Sequence, residues 1–314
     1  MKAGIDQEQT IGIASGAGAY FLWGILPLYW KLLAGVPSEE VLAHRIIWSF
    51  VFMIVILLVL GKLSSFQKEL LAIFKQPKKL TAIAFASLFI TINWYAFIWA
   101  VNHDHVIQTS LGYYINPLIS VLLGILFLKE RLSFWQLISF ALAAIGVLNL
   151  VFRFGEIPWV SLILAMSFGL YGLLKKTARL NALTGLTIET LLITPFALIY
   201  LMSVRSSLSD ALYMNNVSTL SLLLGAGIVT AIPLLLFASG ANRISLSMIG
   251  FLQYIAPTLM LIQGVFLYGE SFTSAHMVSF ALIWAALVIF TLARTKLFRR
   301  IEPRFFQNKH SLES

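Results

Sequence analysis

Long apolar runs separated by short polar segments fill most of the sequence from residue 11 onward. A helix needs about 20 apolar residues to cross a hydrocarbon core of about 30 Å, and a window of that length finds ten candidates. The sequence therefore predicts an all-α integral membrane protein with ten spans and no room for a separate soluble domain. The predicted spans are 11–31, 39–60, 80–101, 106–128, 134–152, 157–175, 183–203, 217–239, 245–268 and 273–295.

The composition supports lipid as the main solvent of this chain. Of 314 residues, 59% are hydrophobic and 11% are charged, whereas globular domains are roughly half apolar and about a quarter charged. Cysteine is absent, which excludes a disulfide framework and thiolate metal sites. The first apolar run has spanning length and lacks a convincing small-residue cleavage site, so we expect a retained helix and not a signal peptide.

The positive charge, formally +9, is spread over short segments between the apolar runs. This distribution favours a bilayer over nucleic acid as the partner. Most of the basic residues fall on the side of the membrane that carries both chain ends, including the lysines of 61–79 and the basic tail at 296–314. Lys and Arg accumulate in cytoplasmic loops, so we expect a multi-pass protein with both termini in the cytoplasm.

Two stretches of the sequence are similar, "GYYINPLISVLLGILFLKER" at 112–131 and "LQYIAPTLMLIQGVFLYGES" at 252–271. An offset of 140 aligns them without a gap and maps the fourth predicted span onto the ninth. Since five spans is an odd number, the second copy would be inserted upside down. The expected domains are two inverted five-helix repeats, 11–152 and 157–295, an arrangement typical of secondary transporters. The offset pairs Tyr114 with Tyr254, Pro117 with Pro257, Gly124 with Gly264 and Glu130 with Glu270.

The repeated prolines Pro117 and Pro257 are candidate hinges. Proline removes a helical hydrogen bond and clashes with the preceding turn, so it is expected to kink both spans near the middle of the membrane. The alternative is that these prolines only shape helix packing, since proline is common in membrane helices.

Two ionisable residues lie within predicted spans, Arg45 in "LAHRIIWSF" and Glu189 in "LTIETLLITP". A charge in a span is unfavourable in lipid and is by default a functional hypothesis. An offset of 144 pairs the two residues, which predicts equivalent depths at opposite mouths of one cavity, with proton coupling through Glu189 as one option. The alternative is that each side chain snorkels to its nearer surface.

Aromatic and amide side chains are also frequent within the spans. Many are expected in interfacial belts or in packing. Those near mid-span are candidates for lining a cavity that binds substrate. They are Trp23, Asn93, Trp94, Tyr114, Asn116, Gln253 and Tyr254. Gly12 and Gly16 form a Gly-x-x-x-Gly pattern, which predicts close helix packing and no chemistry.

Taken in order, "GAYFLWGILPLYWKLL", "LAHRIIWSF", "TINWYAFIWAVN", "SLGYYINPL", "IVTAIPLLLFASGAN" and "GFLQYIAPT" resemble the RarD branch of the EamA group, within the drug/metabolite transporter superfamily. The resemblance covers residues 11 to 293. It implies two inverted EamA repeats in a bacterial inner membrane and transport of small molecules, such as metabolites, amino acids or phenicol drugs. It does not specify the substrate.

Other function classes have less support from the sequence. No phosphate-binding loop of a primary pump occurs, and the five histidines form no metal-ligand motif, so we expect no enzyme, no cofactor and no metal. A channel would be expected to show rings of charge, which are absent. The alternative is a lipid-facing flippase or a non-transporting membrane scaffold. The expected partners are a small-molecule substrate and the bilayer, with proton coupling and a homodimer left open.

Overall fold

The computed structural model describes residues 2–102, 106–154, 158–204, 217–268 and 274–293, together with Thr295, Phe298 and Pro303. Sequence features at 103–105 and 205–216, Glu270, and nearly all of the predicted tail 296–314 lie outside the described residues.

The described residues form twelve α-helices and no strand, which confirms the predicted all-α fold. Each predicted span corresponds to one helix except the ninth, which contains two. Helix α1 begins nine residues earlier than expected, and α3 lies within a segment predicted only as a link. The helices are α1 Lys2–Lys31, α2 Ser38–Val59, α3 Leu63–Phe74, α4 Pro77–Asn102, α5 Val106–Leu128, α6 Phe134–Phe154, α7 Trp159–Ala178, α8 Ala182–Val204, α9 Val217–Arg243, α10 Leu246–Gln253, α11 Ile255–Tyr268 and α12 Ser274–Leu292.

Nine helical segments of the described chain are long and apolar enough to cross a membrane, and a tenth apolar segment, His276–Leu292, is shorter. The protein is therefore a multi-pass membrane protein. The ninth span is made of α10 and α11 together. We call the membrane side on which α1 begins the N-terminal side, and the other the opposite side.

Contacts between helix ends are consistent with successive helices that cross the membrane in alternating directions. On the N-terminal side, Glu8 near the start of α1 pairs with Arg243 at the end of α9, with 2.8 Å between Oε2 and Nε. On the opposite side, Trp99 near the end of α4 packs on Trp159 at the start of α7, with ring centroids 5.2 Å apart.

The two halves of the chain interlock. α5 packs against α7 and α10, α4 against α7, α1 against α9, α2 against α8 and α9, and α6 against α12. Under the predicted spacing of five spans, the α4–α7 contact corresponds to the α1–α9 contact. One hydrophobic core, containing side chains from both halves, runs through the bundle.

The glycines of α1 allow close helix packing, as the sequence predicts. A Cβ added to Gly240 of α9 would lie 3.1 Å from the Gly12 carbonyl oxygen and 3.1 Å from the Gly16 nitrogen. The two backbones are therefore nearly in contact, and the Gly-x-x-x-Gly pattern serves packing.

The two candidate hinge prolines have different surroundings. Helix α5 continues through Pro117, whereas the ninth span is interrupted at Tyr254, between α10 and α11. Pro257 has no N–H to donate to the Gln253 carbonyl, which weakens the ladder at this break.

Candidate functional site

Arg45 is the eighth residue of α2, on the opposite side of the bilayer midplane from the N-terminal side. Its guanidinium carbon lies 5.0 Å from the Trp30 ring centroid and 4.6 Å from the Trp94 ring centroid. Its Nε is buried without a hydrogen-bond partner among the described residues. The sequence-predicted residues Arg45 and Trp94 are thus in contact, and the cation is held by aromatic rings.

A backbone contact adjoins Arg45 one turn further along α2. The Ser49 hydroxyl donates to the Arg45 carbonyl at 2.5 Å and is 3.1 Å from the Gly227 carbonyl of α9. A Cβ added to Gly227 would lie 2.2 Å from the Trp48 carbonyl carbon, closer than real atoms approach. Only glycine therefore permits α2 and α9 to meet in this way.

Glu189 is the eighth residue of α8 and lies toward the N-terminal side, so its depth in its helix matches that of Arg45. The Glu189 side chain is 4% exposed. Lys175 of α7 donates to Oε1 at 2.8 Å, and the Tyr171 hydroxyl donates to Oε2 at 3.2 Å. Neither ion reaches the surface, because Lys175 is only 8% exposed.

Trp23 belongs to an aromatic cluster near this ion pair. Its ring centroid is 5.3 Å from Tyr20, 5.7 Å from Phe168 and 5.8 Å from Phe237. Tyr171 stacks on Phe237 with centroids 5.6 Å apart and therefore connects the cluster to Glu189. Helices α1, α7 and α9 of the two halves meet at these rings.

Buried polar groups lie at the crossing of α5 and α10. The Gln253 amide donates to the Ser120 hydroxyl at 3.0 Å, while Gln253 Oε1 has no partner among the described residues. Asn116 Oδ1 of α5 and the Tyr20 hydroxyl of α1, which lies beside Gln253, are likewise buried and make no hydrogen bond of normal geometry among the described residues. A buried polar atom without a hydrogen bond is unfavourable by about 1–3 kcal/mol. Such atoms are candidates for contacts to a bound ligand.

The other predicted site residues make defined helix contacts. Asn93 of α4 donates to the Leu164 carbonyl at 2.9 Å and to the Ser167 hydroxyl at 3.1 Å, both on α7. The Tyr114 hydroxyl donates to the Pro257 carbonyl at 3.3 Å. Asn93 therefore has a structural partner, and Tyr114 joins one repeat to the other.

Glu130, a member of the repeated sequence, caps α10. Its Oε1 accepts from the Leu246 N–H at 2.6 Å, and its Oε2 accepts from the Ser247 N–H at 2.8 Å and the Ser247 hydroxyl at 2.7 Å. Gly124 makes room, since a Cβ there would lie 2.7 Å from Glu130 Oε2. A carboxylate at a helix N-terminus satisfies free N–H groups and complements the helix dipole.

Beside this cap, a cleft of about 1010 Å³ opens on the N-terminal side. Lys176 donates to the Ala241 carbonyl at 3.2 Å and to the Ile244 carbonyl, at the end of α9. The cleft is polar and charged. Its lining includes Glu8, Glu130, Lys176, Arg179, Asn242 and Arg243.

Sequence reasoning missed Lys175, Tyr171, Ser120 and Gly227. The buried Glu189 was itself a signal, because a buried carboxylate requires a partner. Which of the adjacent lysines at the end of α7 supplies that partner depends on helix rotation. Among the described residues, no group of three or more His, Asp or Glu side chains could hold a metal ion.

Comparisons with known proteins place both halves in one family. Residues 10–152 and 157–292 each match the family described as "EamA-like transporter family". The chain is 49% identical to "Uncharacterized transporter YojE" of Bacillus subtilis (strain 168), over 92% of this chain and 96% of that protein. It is 44% identical to "Protein RarD" of Escherichia coli (strain K12), again over 92% and 96%.

A more distant relative and a solved structure extend the comparison. "Chloramphenicol-sensitive protein RarD" of Pseudomonas aeruginosa is 28% identical over 92% of this chain and 96% of that protein. A crystal structure aligns with a TM-score of 0.65 and 20% identity over 92% of this chain and 99% of that chain. At this identity the crystal structure supports the fold alone.

Proposed function

The chain belongs to the EamA-like transporter family, and from this premise we propose that it is a secondary transporter that moves a small molecule by alternating access. The moving units in this proposal are the repeats 11–152 and 157–295. The N-terminal side is the cytoplasmic side of a bacterial inner membrane, since the basic loops lie there. Two nearly equivalent halves can exchange roles and open one central site to either side.

The observation that carries this proposal is a group of three buried oxygens on α1, α5 and α10 that make no hydrogen bond of normal geometry among the described residues. Asn116 Oδ1, Gln253 Oε1 and the Tyr20 hydroxyl come from both halves and lie among well-packed helices. In lipid no water compensates for a missing hydrogen bond. We therefore assign these atoms to substrate contacts, together with the neighbouring Trp23 ring.

Arg45 and Glu189 act as gate residues at opposite mouths in this proposal. Glu189 is neutralised by Lys175, whereas no carboxylate pairs with Arg45 among the described residues. Arg45 is thus available to an anionic or zwitterionic solute on the opposite side. If transport is coupled to protons, Glu189 carries the transported proton in this proposal. Protonation of Glu189 would release Lys175 and so loosen the contact between α7 and α8.

Solute flux into proteoliposomes tests the proposal. A thermal-shift screen of the purified protein across amino acids, phenicols and other metabolites first identifies a stabilising solute. That solute, radiolabelled, should then cross proteoliposomes at a rate that saturates with concentration. Asn116→Ala and Gln253→Ala should each lower flux, whereas Ser221→Ala, exposed in α9 far from the crossing, is the matched control.

A lipid-facing flippase or a membrane scaffold is the competing function. A flippase would translocate a labelled phospholipid in the same vesicles, and a scaffold would move neither substrate. Either result without solute flux would overturn the transporter proposal.

A further inference from the structure

Helix α3 lies on the N-terminal side, between the end of α2 and the start of α4. One of its faces is buried: Phe66 and Ile73 pack with Leu57, Ile83 and Ile188 of three spanning helices. The helix is therefore held against the ends of α2, α4 and α8. Because these ends bound the spanning segments, we place α3 at the level where lipid acyl chains give way to headgroups.

The uncovered part of α3 is apolar. Leu71 is 64% exposed and Phe74 is 60% exposed. The adjoining end of α2 continues the apolar band, because Val59 is 80% exposed. Apolar side chains at this depth are stabilised by insertion at the boundary between headgroups and acyl chains.

Lysines surround this apolar patch. Lys68, Leu71 and Lys75 follow at i, i+3 and i+7 and share one helix face, and Lys62, Lys75 and Lys78 are exposed around it. The only acidic residue of 61–79 is Glu69, whose carboxylate accepts from the Thr184 hydroxyl of α8 at 2.6 Å. Glu69 is an exposed residue, but its carboxylate is bonded to α8, so the charged side chains around the apolar patch are lysines.

We propose that α3 and its flanking lysines form a binding site for anionic phospholipid headgroups of the N-terminal leaflet. Leu71 and Phe74 insert among the acyl chains, while the lysine stems extend along them and carry the ammonium groups to the phosphates. The bound lipid holds α3, and through Phe66 and Ile73 it braces α2, α4 and α8 next to Glu189. A protein partner is less suited to this face, since the patch lies at the depth of the bilayer.

Full-length protein in nanodiscs tests this site. In phosphatidylcholine nanodiscs, added phosphatidylglycerol should raise the unfolding temperature of the unchanged protein and should be retained in native mass spectra. Each lysine near an anionic surface contributes about 1 kcal/mol, a factor of about five in lipid affinity. K68Q/K75Q should therefore lose most of the retention and of the temperature shift.

The control is K129Q/R131Q, which removes the same number of positive charges from the next loop on that side. It should respond to phosphatidylglycerol as the unchanged protein does. L71S/F74S should lower the unfolding temperature in both lipids, because it removes apolar side chains whose insertion among acyl chains does not depend on the headgroup charge.

Equal responses of K68Q/K75Q and the control would overturn the proposal. Stabilisation of detergent-solubilised protein by inorganic phosphate alone would indicate a free-anion site, and dimerisation through this face would indicate a protein interface; both would also overturn it.

Discussion

The Tyr114 hydroxyl donates a hydrogen bond to the Pro257 carbonyl at 3.3 Å and joins equivalent helices of the two repeats. The offset of 140 makes Tyr254 and Pro117 the matching pair. The Tyr254 hydroxyl, however, is buried and has no hydrogen-bond partner among the described residues. The Pro117 carbonyl instead faces Gly250, where an added Cβ would lie 2.8 Å from it. The two matching positions therefore make different contacts, which is the kind of asymmetry that the proposed alternating access would need.

This difference predicts unequal effects of removing the two hydroxyls. Tyr114→Phe should lower the free energy of unfolding by about 1 kcal/mol, because it deletes a hydrogen bond. Tyr254→Phe should be neutral or stabilising, since it removes an unpartnered buried hydroxyl. Thermal unfolding in one detergent measures both, and each variant is the control for the other. An equal loss in both would contradict the asymmetry.

The buried pair of Lys175 and Glu189 predicts a strong coupling between two substitutions. Glu189→Leu alone should destabilise the protein by about 3–5 kcal/mol, because it leaves a buried ammonium without its carboxylate. Adding Lys175→Met should recover most of the loss, since both charges are then gone. Chemical unfolding of the wild type, both single variants and the double variant measures the coupling. Additive losses would mean that the pair is solvated.

Arg45 and Glu189 are predicted to affect flux on different sides. Arg45→Gln should reduce transport most for anionic or zwitterionic solutes, and Arg45→Lys should not restore it fully, because lysine lacks the planar group that stacks on Trp30 and Trp94. If Glu189 carries the coupling proton, Glu189→Gln should still exchange substrate but lose accumulation driven by a pH gradient. Proteoliposome flux and exchange assays measure both, and full activity of all three variants would reduce the two residues to packing.

The close contact between α2 and α9 predicts intolerance of any side chain at Gly227. Gly227→Ala should lower the free energy of unfolding by about 1–3 kcal/mol, because the two backbones must separate. Gly18→Ala is the matched control, since its Cβ would meet only the Leu236 side chain at an ordinary 3.6 Å. Comparable unfolding temperatures for the two variants would show that α2 and α9 can move apart freely.

The proposed orientation predicts opposite labelling of two introduced cysteines. Ser65→Cys in α3 should be protected from an impermeant maleimide in intact cells, and Ser207→Cys should react. Ser207 lies outside the described residues, so its exposure rests on the topology alone. The chain has no native cysteine, which makes the background low. Reaction of both cysteines from outside would refute the orientation.

The helical membrane spans and the similarity of the two halves could be predicted from the sequence, whereas the inverted arrangement of the repeats and the gate roles of Arg45 and Glu189 stay predictions. These features depend on one-dimensional properties: the length of apolar runs, the spacing of Tyr114, Pro117 and Glu130, and the distance of a charge from the end of its helix. Lipid makes such patterns informative, because every span must satisfy its own backbone and exclude charge.

The partners of these residues were decided only by the tertiary structure. Helix rotation determines that Lys175 turns toward Glu189 while Lys176 binds the end of α9, and adjacent positions in the sequence do not reveal this. Helix α3 was not predicted, because it is short and only one of its faces is apolar and buried, unlike the long apolar runs of the spans. The break at Tyr254 and the unpartnered Asn116 and Gln253 oxygens arise where α5 crosses α10, because such contacts depend on how the two helices pack in space.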